Sequence, residues 1–237
     1  MTLFFRTKIS ILQCKSLKKQ YHMKIHVQTF TFNPFQENTY LVYDDAKNAL
    51  IIDPGCYTTE EKDELNAFIE QRALKIHAIL NTHCHIDHVF GNAYCTEKYK
   101  VGITTHKGEL ETLKMAEISA SIYGLSGYEL SPSPTTFVDE GDVIVYGDLK
   151  FNVLFAPGHS IAHIVFYNEE NNLLLGGDVL FKGSFGRYDL PGGDLNTLKK
   201  SLTTKLFVLP EKTVVYSGHG PKTTIGEEKY TNPILHY

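Results

Sequence analysis

The segment His83-Cys84-His85-Ile86-Asp87-His88 directly follows an apolar run at 76–80 and constrains the fold more than any other feature of the chain. The apolar run predicts a buried strand, so the histidines are expected on a loop at its carboxyl end. Alternate residues of an extended loop point the same way, so His83 and His85 can face one point while Asp87 and His88 turn to a neighbouring one. Imidazole nitrogen and carboxylate oxygen are ligands that zinc, iron and manganese accept. With 11 His and 11 Asp in 237 residues, a chance match is expected in about one chain in a thousand.

Three further candidate ligands each follow a predicted buried strand and stand beside glycine. They are His159 in Gly158-His159-Ser160, Asp178 in Gly177-Asp178 and His219 in Gly218-His219-Gly220. Glycine lets the backbone approach its neighbours closely, and α/β sites tend to lie at the carboxyl ends of strands. We therefore expect all seven side chains to converge at one sheet edge.

The rest of the chain predicts a mixed α/β fold. β-Branched and aromatic runs predict strands over 27–32, 39–43, 49–52, 76–80, 101–104, 143–146, 151–155, 164–167, 173–175 and 214–216. Apolar spacing and capping residues predict helices over 59–73, 87–97, 106–119 and 194–206. Two mixed sheets packed face to face, with helices outside, would bury both sets of apolar faces.

Composition indicates an ordinary globular protein. The chain is 42% apolar and 21% charged with a net charge of -4, so no overall positive charge points to nucleic acid. No apolar run approaches the roughly 20 residues of a membrane helix. Four cysteines without a CxxC pair favour a reducing compartment, so a cytoplasmic location is expected. No sequence pattern reveals the oligomeric state.

Residues 1–22 are basic and contain no acid, which is unlike the rest of the chain. They lack the unbroken apolar stretch of a secretory signal. We expect a disordered extension there, with a transit peptide as the alternative, followed by one domain over 23–237.

The spacing and surroundings of the seven candidate ligands resemble the metallo-β-lactamase fold superfamily, particularly its glyoxalase II-like branch, over about residues 25–224. The resemblance implies a four-layer αββα sandwich. It also implies two divalent metal ions, with zinc expected and iron or manganese as alternatives. In that pattern the ligands of the first ion are His83, His85 and His159, those of the second are Asp87, His88 and His219, and Asp178 bridges both.

Charge and water chemistry then suggest how such a site would act. Two divalent cations outweigh the carboxylates of Asp87 and Asp178 and one hydroxide, leaving about +1, so a small anionic substrate is expected. Metal ions lower the pKa of bound water towards about 7, which makes hydroxide available at neutral pH. Asp87 and Asp178 are therefore the predicted catalytic residues, because they hold the ions that supply the hydroxide.

Other residues near the motifs could contact the substrate or support the site, and Arg187 and Asp53 each have two interpretations. Arg187 offers a fork of donors to a substrate carboxylate, or else pairs with Asp189, and Tyr128 and Lys182 are further candidates for substrate contact. Asp53 either orients the ligand loop or is a simple turn residue.

Two residues beside the predicted ligands are not expected to bind metal. Cys84 is expected to be packed, because alternation points it away from its neighbours. His163 is expected to enter a strand.

Thioester hydrolysis, of an acyl-glutathione for example, is the function that the resemblance favours. The β-lactamases of the superfamily lack the bridging aspartate. Its nucleases carry an inserted domain, for which the gaps of 71, 19 and 41 residues from His88 through His159 and Asp178 to His219 leave no room. Only 18 residues follow His219, so the short type without the carboxyl-terminal helical domain is expected.

Other functions remain open at this point. Gly186-Arg187-Tyr188-Asp189 is also similar to persulfide dioxygenases, which predicts a mononuclear iron site of His83, His159 and Asp178. A lactone hydrolase and a non-catalytic metal-binding protein are the further alternatives.

Overall fold

The first sheet contains the strand that leads into the His-rich loop. The computed structural model describes residues 24–237, so the predicted extension over 1–22 lies outside the described residues. The six strands of this sheet are β1 His26–Phe32, β2 Glu37–Tyr43, β3 Asn48–Ile52, β4 Lys75–Leu80, β5 Ile103–Thr105 and β6 Thr136–Phe137. They pair in chain order, with β1 to β3 antiparallel and β3 to β6 parallel. The sheet is therefore mixed.

The second sheet is built from the carboxyl-terminal half of the chain. Its strands are β7 Val143–Tyr146, β8 Leu149–Phe155, β9 Ile164–Asn168, β10 Leu173–Gly177, β13 Val214–Ser217 and β14 Thr223–Thr224, and the separate hairpin consists of β11 Leu180–Phe181 and β12 Ser184–Phe185. The sheet order is β14-β13-β10-β9-β8-β7, and only β10 and β13 pair in parallel. Strands β8, β10 and β13 lead towards the other candidate ligands.

Apolar side chains from both sheets meet between them. On β2, Tyr40 and Val42 face the second sheet, whereas Leu41 and Tyr43 point to the outside, as the two-residue period of a strand requires. Phe166 on β9 fills the space from the opposite side. Because the outer faces are apolar as well, helices cover them. The expected four-layer αββα sandwich is confirmed.

Helices form the outer layers. Within the described residues the α-helices are α1 Thr59–Arg72, α2 Asn92–Tyr99, α3 Leu110–Ile122, α4 Leu195–Ser201 and α5 Ile225–Thr231. Helices α1 and α2 pack on the first sheet, and α4 and α5 pack on the second. Helix α3 instead packs on the His-rich loop through Ala116 and Ala120. One helix is therefore attached directly to the segment that carries four candidate ligands.

The predicted helix over 59–73 is confirmed, and its start is a capping box. The Thr58 hydroxyl accepts from the Glu61 backbone N–H at 3.3 Å, and the Glu61 carboxylate accepts from the Thr58 N–H at 3.0 Å. These contacts satisfy two amide groups that the first helical turn would leave free.

The predicted helix over 87–97 is wrong at its start. A 3-10 turn occupies Ile86–His88, and α2 begins only at Asn92. The backbone between them forms hydrogen bonds with other segments. The side-chain amide of Asn81 donates to the His88 carbonyl at 3.2 Å, and the Gly91 N–H donates to the Pro54 carbonyl at 2.7 Å. These contacts take the groups that a continuous helix would pair internally.

Two other predicted helices are also divided. The one over 106–119 begins with a 3-10 turn at Lys107–Glu109 and continues as α3 to Ile122. The one over 194–206 is capped by Asp194 as predicted, but beyond α4 it widens into a π-turn at Leu202–Leu206. Threonine hydroxyls in that turn donate to backbone carbonyls one turn earlier, which is a common cause of local distortion.

Two expectations from composition concern membranes and disulfides. No helix formed by residues 24–237 combines the length and apolar character that crossing a bilayer needs. Cys56, Cys84 and Cys95 are buried free thiols.

Replacing Phe166 with alanine is expected to lower the free energy of unfolding by about 3–5 kcal/mol, because the ring is fully buried between the sheets and its loss leaves a cavity. Denaturant titration at fixed metal content measures the change. The control is Val145→Ala, at a side chain that is 57% exposed, where a change within about 0.5 kcal/mol is expected. Equal losses in the two variants would contradict the assignment of Phe166 to the core.

Candidate metal centre

Asp53 fastens the His-rich loop to the end of the neighbouring strand. It follows β3 with a left-handed backbone, φ 47°. Its carboxylate accepts from the Thr82 N–H at 2.7 Å and from the Thr82 hydroxyl at 2.6 Å. Asp53 Oδ2 also lies 3.2 Å from His88 Nδ1. Of the two readings of Asp53, the structure supports the one in which it orients the ligand loop.

The second sheet brings three more candidate ligands to the same place. His159, Asp178 and His219 follow β8, β10 and β13. The backbone is crowded there: Gly158 has φ 127°, and a Cβ at this position would overlap the backbone of Leu198. A residue with a side chain would be strained in that conformation. The predicted convergence of the seven side chains on one site is confirmed.

Three histidines form the first candidate group. The ligand atoms of His83, His85 and His159 all lie within 4.8 Å of one another. His159 Nε2 lies 2.9 Å from His85 Nδ1 and 3.2 Å from His83 Nε2. Two nitrogens bound to one tetrahedral zinc ion would be about 3.3 Å apart, given bonds of about 2.0–2.1 Å. The group therefore has the dimensions to hold one ion.

The outer contacts of these rings show where their protons lie. His159 Nδ1 is 2.8 Å from the backbone carbonyl of Arg187, which can only accept, so this nitrogen carries the hydrogen. The Thr82 hydroxyl donates to Asp53, so it accepts from His83 Nδ1 at 3.1 Å. His83 Nε2 and His159 Nε2 then face each other as two lone pairs with no proton between them. A bound cation would replace this repulsion with two ligand bonds, so the donor set fits a metal ion.

The second candidate group is more acidic. The ligand atoms of Asp87, His88 and His219 also lie within 4.8 Å of one another. His219 Nε2 is 3.1 Å from Asp87 Oδ2, while His219 Nδ1 is 3.2 Å from the carbonyl of Gln36 and donates to it. As with His159, a backbone carbonyl fixes the tautomer and leaves Nε2 facing the centre.

Asp178 lies between the two groups. Its Oδ2 atom is 3.5 Å from both His159 Nε2 and His219 Nε2, and its Oδ1 atom is 3.4 Å from His88 Nε2. Asp178 Oδ1 and His88 Nε2, which face each other, are both buried without a hydrogen-bond partner. Such atoms are costly to bury, and bound ions would satisfy them. The position is that expected of a bridging carboxylate.

A third set of ligand atoms also lies close enough to hold an ion, namely those of Asp53, His83 and His88. Both oxygens of Asp53 are already bonded to Thr82, however. Its role as an orienting residue therefore accounts for this closeness.

Burial and charge divide the histidines into two kinds. Burial lowers the pKa of His83 well below its usual value, and burial together with His159 lowers the pKa of His85 to about 3. Neutral imidazole is the form that binds a metal. Burial also disfavours charge on His88, but the carboxylates of Asp178 and Asp87 outweigh it and raise the pKa of His88 well above its usual value. Without metal, a proton on His88 would balance the buried carboxylates.

Glu109 holds the two loops of the first group together, although no motif in the sequence indicated it. It is completely buried, and its Oε2 atom accepts from the Cys84 N–H at 2.9 Å. Its Oε1 atom accepts from the Ser160 hydroxyl at 2.7 Å and the Ala162 N–H at 2.9 Å. Cys84 stands between two candidate ligands, and Ser160 directly follows the third. One carboxylate thus fixes the spacing of all three histidines.

Two neighbours of the ligands behave as expected. Cys84 is buried in an apolar cluster, and burial raises the pKa of its thiol well above the usual value, so it is packed rather than ligating. His163 immediately precedes β9 and stacks on the ring of His83 with centroids 4.7 Å apart. Its Nε2 atom accepts from the Asp178 N–H at 3.1 Å. His163 therefore positions a candidate ligand instead of being one.

Glu37 is a further buried acid that sequence patterns did not reveal. Its Oε1 atom has no hydrogen-bond partner and lies 3.9 Å from His88 Nδ1. Burial raises the pKa of this carboxyl well above its usual value despite the opposing effect of His88. Its backbone forms an isolated bridge with His219, which ties the first sheet to the last candidate ligand.

A pocket of about 870 Å³ opens over the centre, and five candidate ligands line it: His85, Asp87, His159, Asp178 and His219. Arg187 also lines the pocket, but its Nε and Nη2 atoms each lie 2.9 Å from an oxygen of Asp189. Of the two interpretations of Arg187, the structure shows the one in which it pairs with Asp189.

The structure does not bring Tyr128 and Lys182 to this pocket. The ring of Tyr128 packs edge-on against Phe90 and borders a separate pocket of about 350 Å³. Lys182 is exposed in the tight turn between β11 and β12, so its side chain extends into solvent. Tyr123, which directly follows α3, does line the main pocket.

Comparison with known proteins agrees with this geometry. Residues 32–219 match the model of the metallo-beta-lactamase superfamily. Hydroxyacylglutathione hydrolase GloC of Haemophilus influenzae is 36% identical over 213 residues, which are 89% of this chain and 98% of that protein. The crystal structure of TTHA1623 in a di-iron-bound form is 40% identical with a TM-score of 0.79, over 88% of this chain and 100% of the other. That of BLEG-1 B3 metallo-beta-lactamase is 33% identical with a TM-score of 0.82, over 90% and 100%.

Replacing Glu109 with glutamine is expected to weaken metal binding at the first group by about 10- to 100-fold. The amide keeps the shape of the side chain, but its NH₂ group cannot accept, so one of the two loops loses its anchor. Competition with a chelator measures the dissociation constant. The control is Glu97→Gln, an exposed residue on α2. Equal metal affinity in the two variants and the parent protein would rule out this role.

Proposed function

Because this chain belongs to the metallo-beta-lactamase superfamily, we propose that its centre binds two divalent metal ions and hydrolyses thioesters of the acyl-glutathione class. The position of Asp178 carries the proposal. One of its oxygens is 3.5 Å from a histidine of each group, His159 and His219. A carboxylate so placed suits two adjacent ions rather than one.

In this proposal the residues of the chain hold and orient the reacting groups. His83, His85 and His159 would hold one ion, Asp87, His88 and His219 would hold the other, and Asp178 would contact both. Divalent ions supply two things when bound: they make water nucleophilic at neutral pH, and they polarise a carbonyl group. Zinc is expected, and iron is the main alternative because the similar protein TTHA1623 has a di-iron-bound form.

The charge of Asp178 suits bound cations, and the leaving group favours a thioester over an amide. Burial would raise the pKa of Asp178, but the adjacent His88 outweighs it and keeps that pKa below its usual value. In the metal-free protein Asp178 is therefore held as a carboxylate, which is the form that could contact two cations. A thiol has a pKa near 8.5, so a thiolate departs without a proton, whereas an amine does not.

β-Lactam hydrolysis is the second candidate function. It is favoured by the similarity to BLEG-1, which extends over the whole of that protein. The reaction uses the same attack of water on a carbonyl, but its leaving group is an amide nitrogen. An amine leaves only with a proton, so this reaction needs a proton donor that thioester hydrolysis does not need.

Metal analysis and a substrate panel together test the proposal. Protein of known metal content is assayed with S-lactoylglutathione, S-acetylglutathione, a cephalosporin, a lactone and glutathione persulfide. We expect two equivalents of metal per chain and turnover of at least one thioester. One equivalent of iron with oxygen uptake on the persulfide would contradict the proposal, as would turnover of the cephalosporin alone.

Asp178→Asn is expected to lower kcat/KM for the thioester by at least about a hundredfold, because several kcal/mol of transition-state stabilisation depend on the ions. Metal content should fall as well, since the amide carries no charge. The control, Asp63→Asn, changes an exposed residue of α1 in the same way. Full activity in Asp178→Asn would exclude its bridging role.

A further inference from the structure

Helix α3 presents an apolar stripe to the main pocket. Met115, Ile118 and Ile122 are spaced i, i+3 and i+7 and so lie on one face. They are 41%, 51% and 75% exposed, and all three line the pocket. The other side of the helix packs on the His-rich loop through Ala116 and Ala120. Packing among residues 24–237 therefore does not account for the stripe.

The walls facing the candidate ligands are apolar as well. The ring of Phe181 lies edge-on to that of His219, with centroids 6.1 Å apart. Phe35 packs edge-on against Tyr123 at 5.3 Å. Phe181, Phe35 and Tyr123 all line the pocket, as does Ile161, which is 55% exposed. Apolar surface thus extends from the candidate metal centre to the outer end of α3.

The positive charges of the pocket already have partners. Among the described residues that line it, the lysine and arginine side chains are those of Lys114 and Arg187. Lys114 Nζ lies 2.6 Å from a carboxylate oxygen of Glu111, and the Arg187 guanidinium is paired with Asp189 at 2.9 Å. Each cation is neutralised by a neighbouring acid. Among the described lining residues, both cationic side chains are therefore already in ion pairs, and neither is set aside for the carboxylates of a glutathione carrier.

We infer that the pocket binds an apolar acyl group, joined to the scissile carbonyl of a thioester whose polar thiol carrier extends into water. The inference rests on the proposed function and names its substrate class. An alkyl or aromatic acyl chain would cover the stripe on α3 and the aromatic walls. A short hydroxyacyl group such as lactoyl would leave them in contact with water.

The size of the pocket agrees with an extended acyl group. At about 870 Å³ it falls in the upper part of the range of about 300–1,000 Å³ that holds drug-sized ligands. Each buried methylene contributes a factor of up to about four to binding. A chain of six or more carbons could therefore bind much more tightly than an acetyl group.

A series of S-acylglutathiones with one carrier tests the inference. Acetyl, butanoyl, hexanoyl, octanoyl and lactoyl derivatives are compared on metal-loaded protein. We expect kcat/KM to rise at least about twofold per methylene, so that the octanoyl compound exceeds the acetyl compound by about fiftyfold or more. Octanoate should also bind at least about tenfold more tightly than acetate in calorimetry, which requires no turnover.

The variants Ile118→Ser and Ile122→Ser test whether the stripe on α3 causes the dependence of kcat/KM on acyl chain length. Both side chains are largely exposed, so their removal should leave folding intact. Each should lower kcat/KM for the octanoyl compound by about fivefold or more and change that for the acetyl compound by less than about twofold. The matched control is Val208→Ser, which is 68% exposed and outside the pocket, and which should change neither.

The outcomes separate this inference from the proposed function. Hydrolysis of all the thioesters without dependence on chain length, or fastest hydrolysis of the lactoyl compound, overturns the inference and leaves the proposed function in place. If no thioester is hydrolysed, the proposed function fails. Equal binding of octanoate and acetate then overturns the inference as well.

Discussion

The buried carboxylate of Glu109 determines whether three histidines can meet at one point. It accepts hydrogen bonds from both loops that carry the first candidate group, and its burial is tolerable because both oxygens are bonded. Asp53 does the same for the start of the His-rich loop. With Glu37 beside His88, three acids surround the candidate ligands. The carboxylates of Asp87 and Asp178 favour bound positive charge, and the hydrogen bonds of Glu109 and Asp53 fix the geometry before any ion arrives.

The candidate ligands could be predicted from the sequence, whereas most of their supports could not. His83, His85, Asp87 and His88 form one local motif, and the other three ligands follow strands that are recognisable by their apolar runs. Glu109 gave no such signal, because it belongs to no motif and its partner Ser160 lies 51 residues away. The strands of the two sheets were predictable from their β-branched and aromatic runs. The break in the helix predicted over 87–97 was not, because it depends on contacts with distant segments.

The predicted substrate contacts of Tyr128 and Lys182 also depended on packing that the sequence does not reveal. Tyr128 and Lys182 were placed near the site by their positions in the chain, but side-chain direction depends on packing. Tyr128 turns to Phe90, and Lys182 stands in a hairpin turn. Arg187 is near the site, yet it acts there through its backbone carbonyl, which fixes the proton on His159. Helix α3 connects both aspects of the site, since one face supports the ligand loop and the other lines the pocket.

Each candidate group draws on both sheets. In the first, two histidines follow β4 and one follows β8, and in the second, Asp87 and His88 precede α2 while His219 follows β13. A bound ion would therefore act as a cross-link between the layers of the sandwich, and its binding free energy would be added to that of folding. The abundance of such a protein in a cell would then follow the supply of the metal. If the metal were scarce, some molecules would unfold and be degraded, and the remaining metal-free molecules would lack activity.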